Sequence, residues 1–153
     1  MALTTSMANS YKTELFQGVH EAADVYKLVL IKVGHTGTYN ASNTNGGTPG
    51  TGVPSATNIG TDEVAASGTY ASGGLTLSGF SATLQGTTAV LDFTTPSATG
   101  ATISAVGGVI INTTQSNKVV GCFDFGGTIT STNGTFTCTM PAVGSGTSLL
   151  RIA

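Results

Sequence analysis

The sequence has little charge. Of its 153 residues only 8% are Asp, Glu, Lys or Arg, whereas these residues make up about a quarter of an average globular protein. Five basic residues stand against seven acidic ones, for a formal net charge of −2, and five are too few to follow a phosphate backbone. We therefore expect no binding to nucleic acid. A surface with so few charges also has little repulsion between copies, which favours association.

Long apolar runs and clustered metal ligands are also missing. No apolar segment approaches the roughly 20 residues of a membrane helix, and the start, MALTTSMANS, lacks the features of an export signal. We therefore expect neither membrane insertion nor export. His20 and His35 lie far from the two cysteines, which excludes zinc-site spacing. Cys122 and Cys138 are expected to be free, buried thiols, with a disulfide between paired strands as the alternative.

Groups that could support catalysis are few. The segments VLDF and CFDF each place a carboxylate, Asp92 or Asp124, between apolar neighbours. Facing each other across paired strands, the two could act as an acid/base pair of the kind found in glycosidases. Strand alternation favours the simpler interpretation that both are ordinary outward residues or hydrogen-bonding residues at the rim of the sheet. With no nucleophile elbow or phosphate-binding loop, and only Asp62-Glu63 as adjacent carboxylates for calcium, we predict no enzyme activity and no cofactor or metal.

The chain is predicted to begin with a polar arm, residues 1–9, followed by a single domain, residues 10–153. A short helix is predicted over residues 10–17, with Asn9 or Ser10 as its N-cap and Gly18 at its end. Its apolar residues fall at helical spacing, and two turns of helix need a surface to cover them, either the protein's own sheet or a neighbouring subunit. These interface candidates are Tyr11, Leu15, Phe16 and Val19.

Most of the remaining sequence is typical of β-strands. Residues 25–33 are apolar on both alternating faces and are therefore expected to be covered on both sides. Asn133-Gly134 predicts a hairpin turn, and Gly107-Gly108 predicts a bulge or a close backbone contact. Many short strands separated by turn residues favour a sandwich or a barrel. The other predicted strands cover residues 69–71, 75–84, 89–94, 102–112, 118–125, 128–132, 135–140 and 149–152.

Residues 34–61 form a long segment rich in Gly, Thr and Asn, without a single Asp, Glu, Lys or Arg. A segment of this length without regular structure is either functional or disordered. Ordering it costs entropy, so we expect it to order against a partner and, with the arm, to make intermolecular contacts. The alternative is a mobile loop without a role. Its interface candidates are Tyr39, Asn40, Asn43, Asn45, Val53 and Asn58.

The order of these parts resembles the small virion structural proteins of tailed bacteriophages, in particular the β-sandwich cement (decoration) proteins of the capsid. The resemblance rests on YKTELFQGVHE leading into DVYKLVLIKVG, on DEVAASGTYASGGLTLSG, and most specifically on IINTTQSNKVVGCFDFGG. It implies an all-β, jelly-roll-like antiparallel β-sandwich that forms oligomers on the head exterior and contacts the major capsid protein. It implies no cofactor.

Three functional hypotheses follow. In the first, the protein assembles in the host bacterial cytoplasm, binds the capsid surface as a dimer or trimer, and stabilises the shell by bridging major capsid protein subunits. In the second, it is a tail, fibre or other adhesive module that binds a receptor or carbohydrate. That function needs exposed aromatic side chains, for which Tyr39 and Tyr70 are the candidates. In the third, it is a hydrolase that uses Asp92 and Asp124.

Overall fold

The computed structural model describes residues 1–153 as a mostly β protein, with two antiparallel sheets and one short N-terminal helix. This confirms the predicted antiparallel β architecture. The five-stranded sheet has the order β1-β7-β6-β2-β3, and the three-stranded sheet has the order β4-β5-β8. The elements are β1 (Ser6–Met7), α1 (Asn9–Phe16), β2 (Tyr26–Lys32), a 3₁₀ turn (Gly60–Asp62), β3 (Leu75–Thr76), β4 (Ser81–Gln85), β5 (Thr88–Asp92), β6 (Ser97–Asn112), β7 (Lys118–Thr137) and β8 (Leu150–Ile152).

The long hairpin of β6 and β7 dominates the larger sheet. Its turn is made by residues 113–117, where Ser116 and Asn117 have φ of 54° and 62°. The predicted hairpin at Asn133-Gly134 is wrong, because both residues lie inside β7. There, Ala101 pairs with Gly134 but Ile103 pairs with Ser131, so the extra residue on β7 forms a bulge. Asn133 has a φ of 46°, a conformation that a bulge can use as well as a turn.

A second bulge lies where β7 passes Gly126-Gly127. Ala105 of β6 pairs with Ile129, whereas Gly107 pairs with Asp124. The three strands predicted between residues 118 and 140 therefore belong to one strand, β7, and the two breaks predicted between them are bulges. The prediction for Gly107-Gly108 is confirmed, because a Cβ on Gly107 would lie 2.3 Å from the Phe123 carbonyl oxygen.

Strand β2 lies in the middle of the core, and both of its faces are buried as predicted. On one face, Val29 is in register with Val109 of β6, which in turn pairs with Cys122 of β7. The loop of residues 34–61 covers this face: the Asn40 carbonyl accepts a hydrogen bond from Cys122 Sγ at 3.5 Å. The second face, which includes Leu28, lies opposite the C-terminal segment of residues 138–149.

The N-terminal residues, predicted to be a polar arm, pack against their own chain. Strand β1 pairs with β7 through Ser6 and Cys122, and Leu3 forms a bridge with Tyr39. Helix α1 begins one residue earlier than predicted. Its N-cap is Ala8, which makes no side-chain cap, while its N–H donates to the Val120 carbonyl at 3.0 Å. The side-chain cap expected from Asn9 or Ser10 is absent, and the N–H of Asn9, the first helical residue, donates to the Ala41 carbonyl at 2.8 Å.

The end of α1 follows the prediction, whereas the outer strands follow it only in part. Gly18, with a φ of 66°, ends the helix as expected. The strand predicted over residues 75–84 is divided into β3 and β4, and residues 69–71 contribute only one bridge, between Ser67 and Tyr70.

Candidate functional site

The loop of residues 34–61 is held in place by a buried carboxylate that follows it in sequence. Asp62 is 0% exposed. One carboxylate oxygen accepts hydrogen bonds from the Thr36 N–H at 2.8 Å and from the Thr36 hydroxyl. The other accepts from the Gly37 N–H at 2.6 Å and from the Tyr39 hydroxyl at 2.9 Å. Four donors from the loop therefore converge on one side chain.

Burial alone would raise the pKa of Asp62. The hydrogen bonds from the Thr36 and Gly37 amides and from the Tyr39 hydroxyl outweigh it and hold the pKa below its ordinary value. The carboxylate is therefore charged in the folded protein at neutral pH. The neighbouring Glu63 has a similar role, since its oxygens accept from the Tyr70 and Ser72 hydroxyls and from the Gly73 N–H.

Asparagine side chains complete the internal bonding of the loop. Asn58 accepts from the Thr48 and Gly60 N–H groups and donates to the Thr51 and Val53 carbonyls. Asn45 Nδ2 donates to the Ser116 carbonyl at 2.7 Å, which attaches the loop to the β6–β7 turn. The loop is therefore bonded to itself and to the sheet.

This bonding changes the expected role of the loop. It does not need a partner to order it, and its polar candidates use their hydrogen-bonding groups within the chain. Tyr39, Asn40, Asn43, Asn45 and Asn58 are buried or half-buried, and each makes internal hydrogen bonds. Among the predicted contact residues of the loop, only Val53 is largely exposed, at 83%.

The predicted apolar face of α1 is not continuous. Tyr11 is buried against His20, with ring centroids 4.6 Å apart. Leu15 and Val19 are half-buried, whereas Phe16 is 96% exposed and points away from the core. The buried face of the helix contains Glu14 in the place expected for an apolar residue.

Glu14 is a structural residue that the sequence analysis did not identify. Its carboxylate lies 2.8 Å from His20 Nε2 and forms an ion pair with Lys118 at the start of β7. Burial raises its pKa, but hydrogen bonds and attraction from Lys118 and His20 bring the net pKa below its ordinary value. The sequence pattern placed Glu14 on an ordinary exposed helix position, because its partner Lys118 lies 104 residues away.

The outer edge of β7 is the largest unpaired stretch of strand. Over residues 125–137, which we call the docking edge, no strand lies beside β7, since β1 pairs only with Gly121 and Cys122. No residue from 125 to 150 is charged or histidine. Natural sheet edges are commonly protected by charged residues such as lysine, and this edge has bulges but no charge.

A cavity of about 520 Å³ lies beside the docking edge, between β7 and the C-terminal segment. Aromatic and aliphatic side chains contribute most of its apolar lining. From β7 and the C-terminal segment these are Phe123, Phe125, Ile129, Phe136, Met140 and Leu149. The arrangement offers main-chain hydrogen bonds along the edge and an apolar space next to it, which are the two parts of strand-addition recognition.

The two candidate catalytic carboxylates do not form a pair. Asp92 lies on β5 in the three-stranded sheet and is in register with Ser81, whereas Asp124 lies on β7 opposite Gly107. Of the two simpler alternatives for Asp92, the outward position is wrong because the residue is buried; it is a hydrogen-bonding residue, whose Oδ1 accepts from the Leu149 N–H at 2.9 Å. Asp124 is exposed, as predicted.

The aromatic side chains proposed for an adhesive surface are also internal. Tyr39 and Tyr70 are both buried, and their hydroxyls bind the carboxylates of Asp62 and Glu63. Burial and the neighbouring carboxylates raise the pKa of both phenols. Neither tyrosine can stack on a carbohydrate without unfolding part of the chain.

Both cysteines are free, with Cys122 buried and Cys138 half-buried. Burial raises the pKa of Cys122 to about 12 and that of Cys138 to about 11. Because the thiolate is the reactive form, we expect both to be alkylated roughly 100-fold more slowly than free cysteine at pH 8. Site-resolved mass spectrometry after timed iodoacetamide treatment, with and without denaturant, measures this. Rapid labelling of the native chain would contradict the buried positions.

No helix of the chain is long and apolar enough to cross a membrane. No cluster of three or more His, Cys, Asp or Glu side chains with the geometry of a metal site is present. Comparison of the chain with models of known protein families, with curated proteins and with solved structures finds no match.

Proposed function

We propose that the protein is a structural component of a bacteriophage particle that binds the outside of the capsid and stabilises it by bridging major capsid protein subunits. The jelly-roll-like connectivity implied by the sequence resemblance belongs to the same proposal, as do the oligomeric state and the location on the virion surface. The proposal assigns the chain a binding function and no catalytic one.

The observation that carries the proposal is the docking edge together with the cavity beside it. A strand from another protein can pair with the unpaired backbone groups of residues 125–137 and place alternate side chains over Phe125 and Ile129. Because the edge is uncharged, its partner needs no complementary charge. A shell protein could supply such an uncharged partner strand if it presents an extended segment at the contacts between its subunits.

The low charge of the whole chain supports the same function. A surface dominated by Thr, Ser, Asn and Gly repels its neighbours weakly, so many copies can lie close together. Each contact can then be weak, because a copy that touches two shell subunits at once gains from a high effective concentration at the second site. Stabilisation of a shell follows from many such bridges.

The folded loop of residues 34–61 has a supporting role in this proposal. It covers one face of the larger sheet through Asn40 and Gly46, which contact Cys122 and Ile111. The sheet that bears the docking edge therefore stays rigid before binding, and less entropy is lost on association.

Binding to particles tests the proposal. Particles assembled without the chain should take up the purified protein in hundreds of copies and should retain their DNA at higher temperature. Thr130→Lys places a charge on the docking edge and is expected to weaken uptake at least about 10-fold, since charged edge residues oppose strand pairing.

Thr83→Lys is the matched control, since Thr83 is also exposed on an edge strand, β4, of the smaller sheet. Its uptake should equal that of the unmodified protein. The proposal fails if particles bind no protein, or bind only a few copies at the tail. Equal uptake of the Thr130 and Thr83 variants would show that the docking edge is not the contact.

A further inference from the structure

The dipeptide Asn-Gly occurs twice in the chain, at Asn45-Gly46 and at Asn133-Gly134. An asparagine before glycine is chemically labile, because glycine has no side chain to hinder attack of its backbone nitrogen on the asparagine Cγ. The attack closes a succinimide ring and releases ammonia, and water then opens the ring to aspartate or isoaspartate. The two dipeptides are equivalent in sequence, so any difference in their reactivity comes from the fold.

The fold immobilises Asn45 and also binds the nitrogen that would attack it. Asn45 Nδ2 donates to the Ser116 carbonyl at 2.7 Å, and its Oδ1 accepts from the Gly47 N–H at 2.7 Å. The N–H of Gly46 donates to the Asn117 carbonyl at 2.7 Å, and Gly46 is buried. Ring closure at Asn45 therefore requires the loop of residues 34–61 to open first.

Asn133 has none of these restraints. It is exposed, and while its backbone N–H donates to the Thr102 hydroxyl at 3.0 Å, its side-chain amide makes no hydrogen bond. It lies in the bulge between Ser131 and Gly134, the residues that pair with β6 on either side, and so has no register partner. Gly134 is open as well, since a Cβ there would meet only the Thr132 carbonyl oxygen, at 3.6 Å.

Ring closure also requires the peptide between Asn133 and Gly134 to rotate. In a regular strand with neighbours on both sides, this rotation would break ladder hydrogen bonds. At this position β7 has a neighbour on one side only, and the bulge already interrupts its register with β6. The φ of 46° at Asn133 is itself a sparsely populated conformation. Local opening of β7 should therefore cost little free energy at the bulge.

We propose that Asn133 is a site of spontaneous deamidation in the folded protein and that Asn45 is not. The Gly134 nitrogen forms a bond to Cγ of Asn133 and loses its proton to solvent, while the bond from Cγ to the amide nitrogen breaks and ammonia leaves with a proton. Water adds to one imide carbonyl and cleaves its bond to nitrogen, which leaves a carboxylate. The only co-reactant is water, and no oxidation or reduction is involved.

Deamidation changes the docking edge in two ways. It places a negative charge on an edge that has none over residues 125–137. The isoaspartate product also carries the main chain through Cβ, which lengthens the backbone of β7 at the bulge. Both changes oppose the addition of a strand at this edge. An aged copy should then bind shells more weakly than a fresh one, and this consequence alone rests on the proposed function.

Peptide-mapping mass spectrometry of the purified chain, incubated in mildly alkaline buffer, tests the inference. In the folded chain, Asn133 should deamidate at least about 10-fold faster than Asn45, because Asn45 reacts only when the loop opens. In the chain unfolded with guanidinium, the two should react at similar rates, since each precedes glycine. Gly134→Ala should slow the reaction of Asn133 several-fold without affecting folding, because the added Cβ fits the space.

Equal rates at Asn45 and Asn133 in the folded chain overturn the inference. So does an Asn133 that stays intact in the folded chain for as long as the unfolded chain needs to react completely. The effect on binding is measured separately with Asn133→Asp, which carries the charge without the isoaspartate linkage and should lower uptake by particles several-fold. Unchanged uptake of this variant, with deamidation of Asn133 as expected, refutes only the docking edge as the contact of the proposed function.

Discussion

Replacing Asp62 with asparagine is expected to lower the free energy of unfolding by about 3 kcal/mol. The buried carboxylate accepts from two backbone N–H groups and two hydroxyls. An asparagine has the same shape, but its Nδ2 can only donate. It would therefore face at least one of these donors and leave that donor without a partner. For a chain of this size, the expected fall in Tm is roughly 6–12 °C.

The effect of Asp62→Asn should depend on pH. Because the pKa of Asp62 is lowered in the folded state, its contribution to stability is fully present above the unfolded pKa of about 3.9. It is lost as the pH falls through the folded value. The difference in stability between the original chain and the variant should thus be constant from pH 7 to about pH 5 and should shrink below about pH 4.

Asp124→Asn is the control for this experiment. Asp124 is exposed and accepts only a local hydrogen bond from the Gly126 N–H. Its replacement should change stability by less than about 0.5 kcal/mol. Thermal unfolding followed by circular dichroism at several pH values measures both variants. Equal stability of the Asp62 and Asp124 variants at pH 7 would show that Asp62 does not hold the loop.

The second large effect is expected for Gly107→Ala, which should cost about 3 kcal/mol or more. A Cβ at this position would lie 2.3 Å from the Phe123 carbonyl oxygen and 2.1 Å from Leu3 Cδ2. The leucine can rotate away, but the carbonyl belongs to the backbone of β7 and can move only if the β6–β7 pairing shifts. The β6–β7 hairpin supplies the longest pairing in the sheet, so its distortion weakens the core.

Gly127→Ala is the matched control on the neighbouring bulge. A Cβ on Gly127 has no atom within 4 Å, and its φ is not in the left-handed region. Its substitution should be neutral or slightly stabilising, because alanine restricts the unfolded chain more than glycine does. Urea denaturation of both variants gives the comparison. Similar midpoints would mean that β6 and β7 do not approach as closely as described.

The strands could be predicted from the sequence because they follow local patterns. The alternation of β-branched residues identified β2, β5, β6 and β8 to within a few residues, apart from an earlier start for β6. The bulge at Asn133-Gly134 was mistaken for a hairpin turn, since Gly and Asn supply positive φ in both cases. A bulge differs from a turn because the partner strand continues beside it. Here β6 continues beside β7 past this position, as far as Ser97.

The loop of residues 34–61 could not be predicted in the same way. Its order comes from Asp62, whose four hydrogen bonds reach back 23 to 26 residues. The sequence does show two adjacent carboxylates after an uncharged segment, but this pattern does not reveal their donors. Glu14 presents the same difficulty, because its partner Lys118 lies 104 residues away. Polar contacts over such separations leave no periodic signal.

The folded loop also changes the interpretation of the low charge. An uncharged Thr/Gly segment first suggested a surface that a partner must order. Instead the segment covers the sheet, and the uncharged docking edge is the contact surface of the proposed function. In the proposed function the protein would therefore bind as a preformed structure, which favours many weak contacts over one that folds on binding.

Amide hydrogen exchange of the free chain at low concentration tests this account most directly. The amides of Gly37, Gly46 and Ile59 donate to Asp62, the Asn117 carbonyl and the Gly46 carbonyl, respectively. If the chain orders its own loop, these amides exchange at least about 100-fold more slowly than in an unfolded peptide. Exchange at the unfolded rate in the free chain, with protection only after a partner is added, would contradict it.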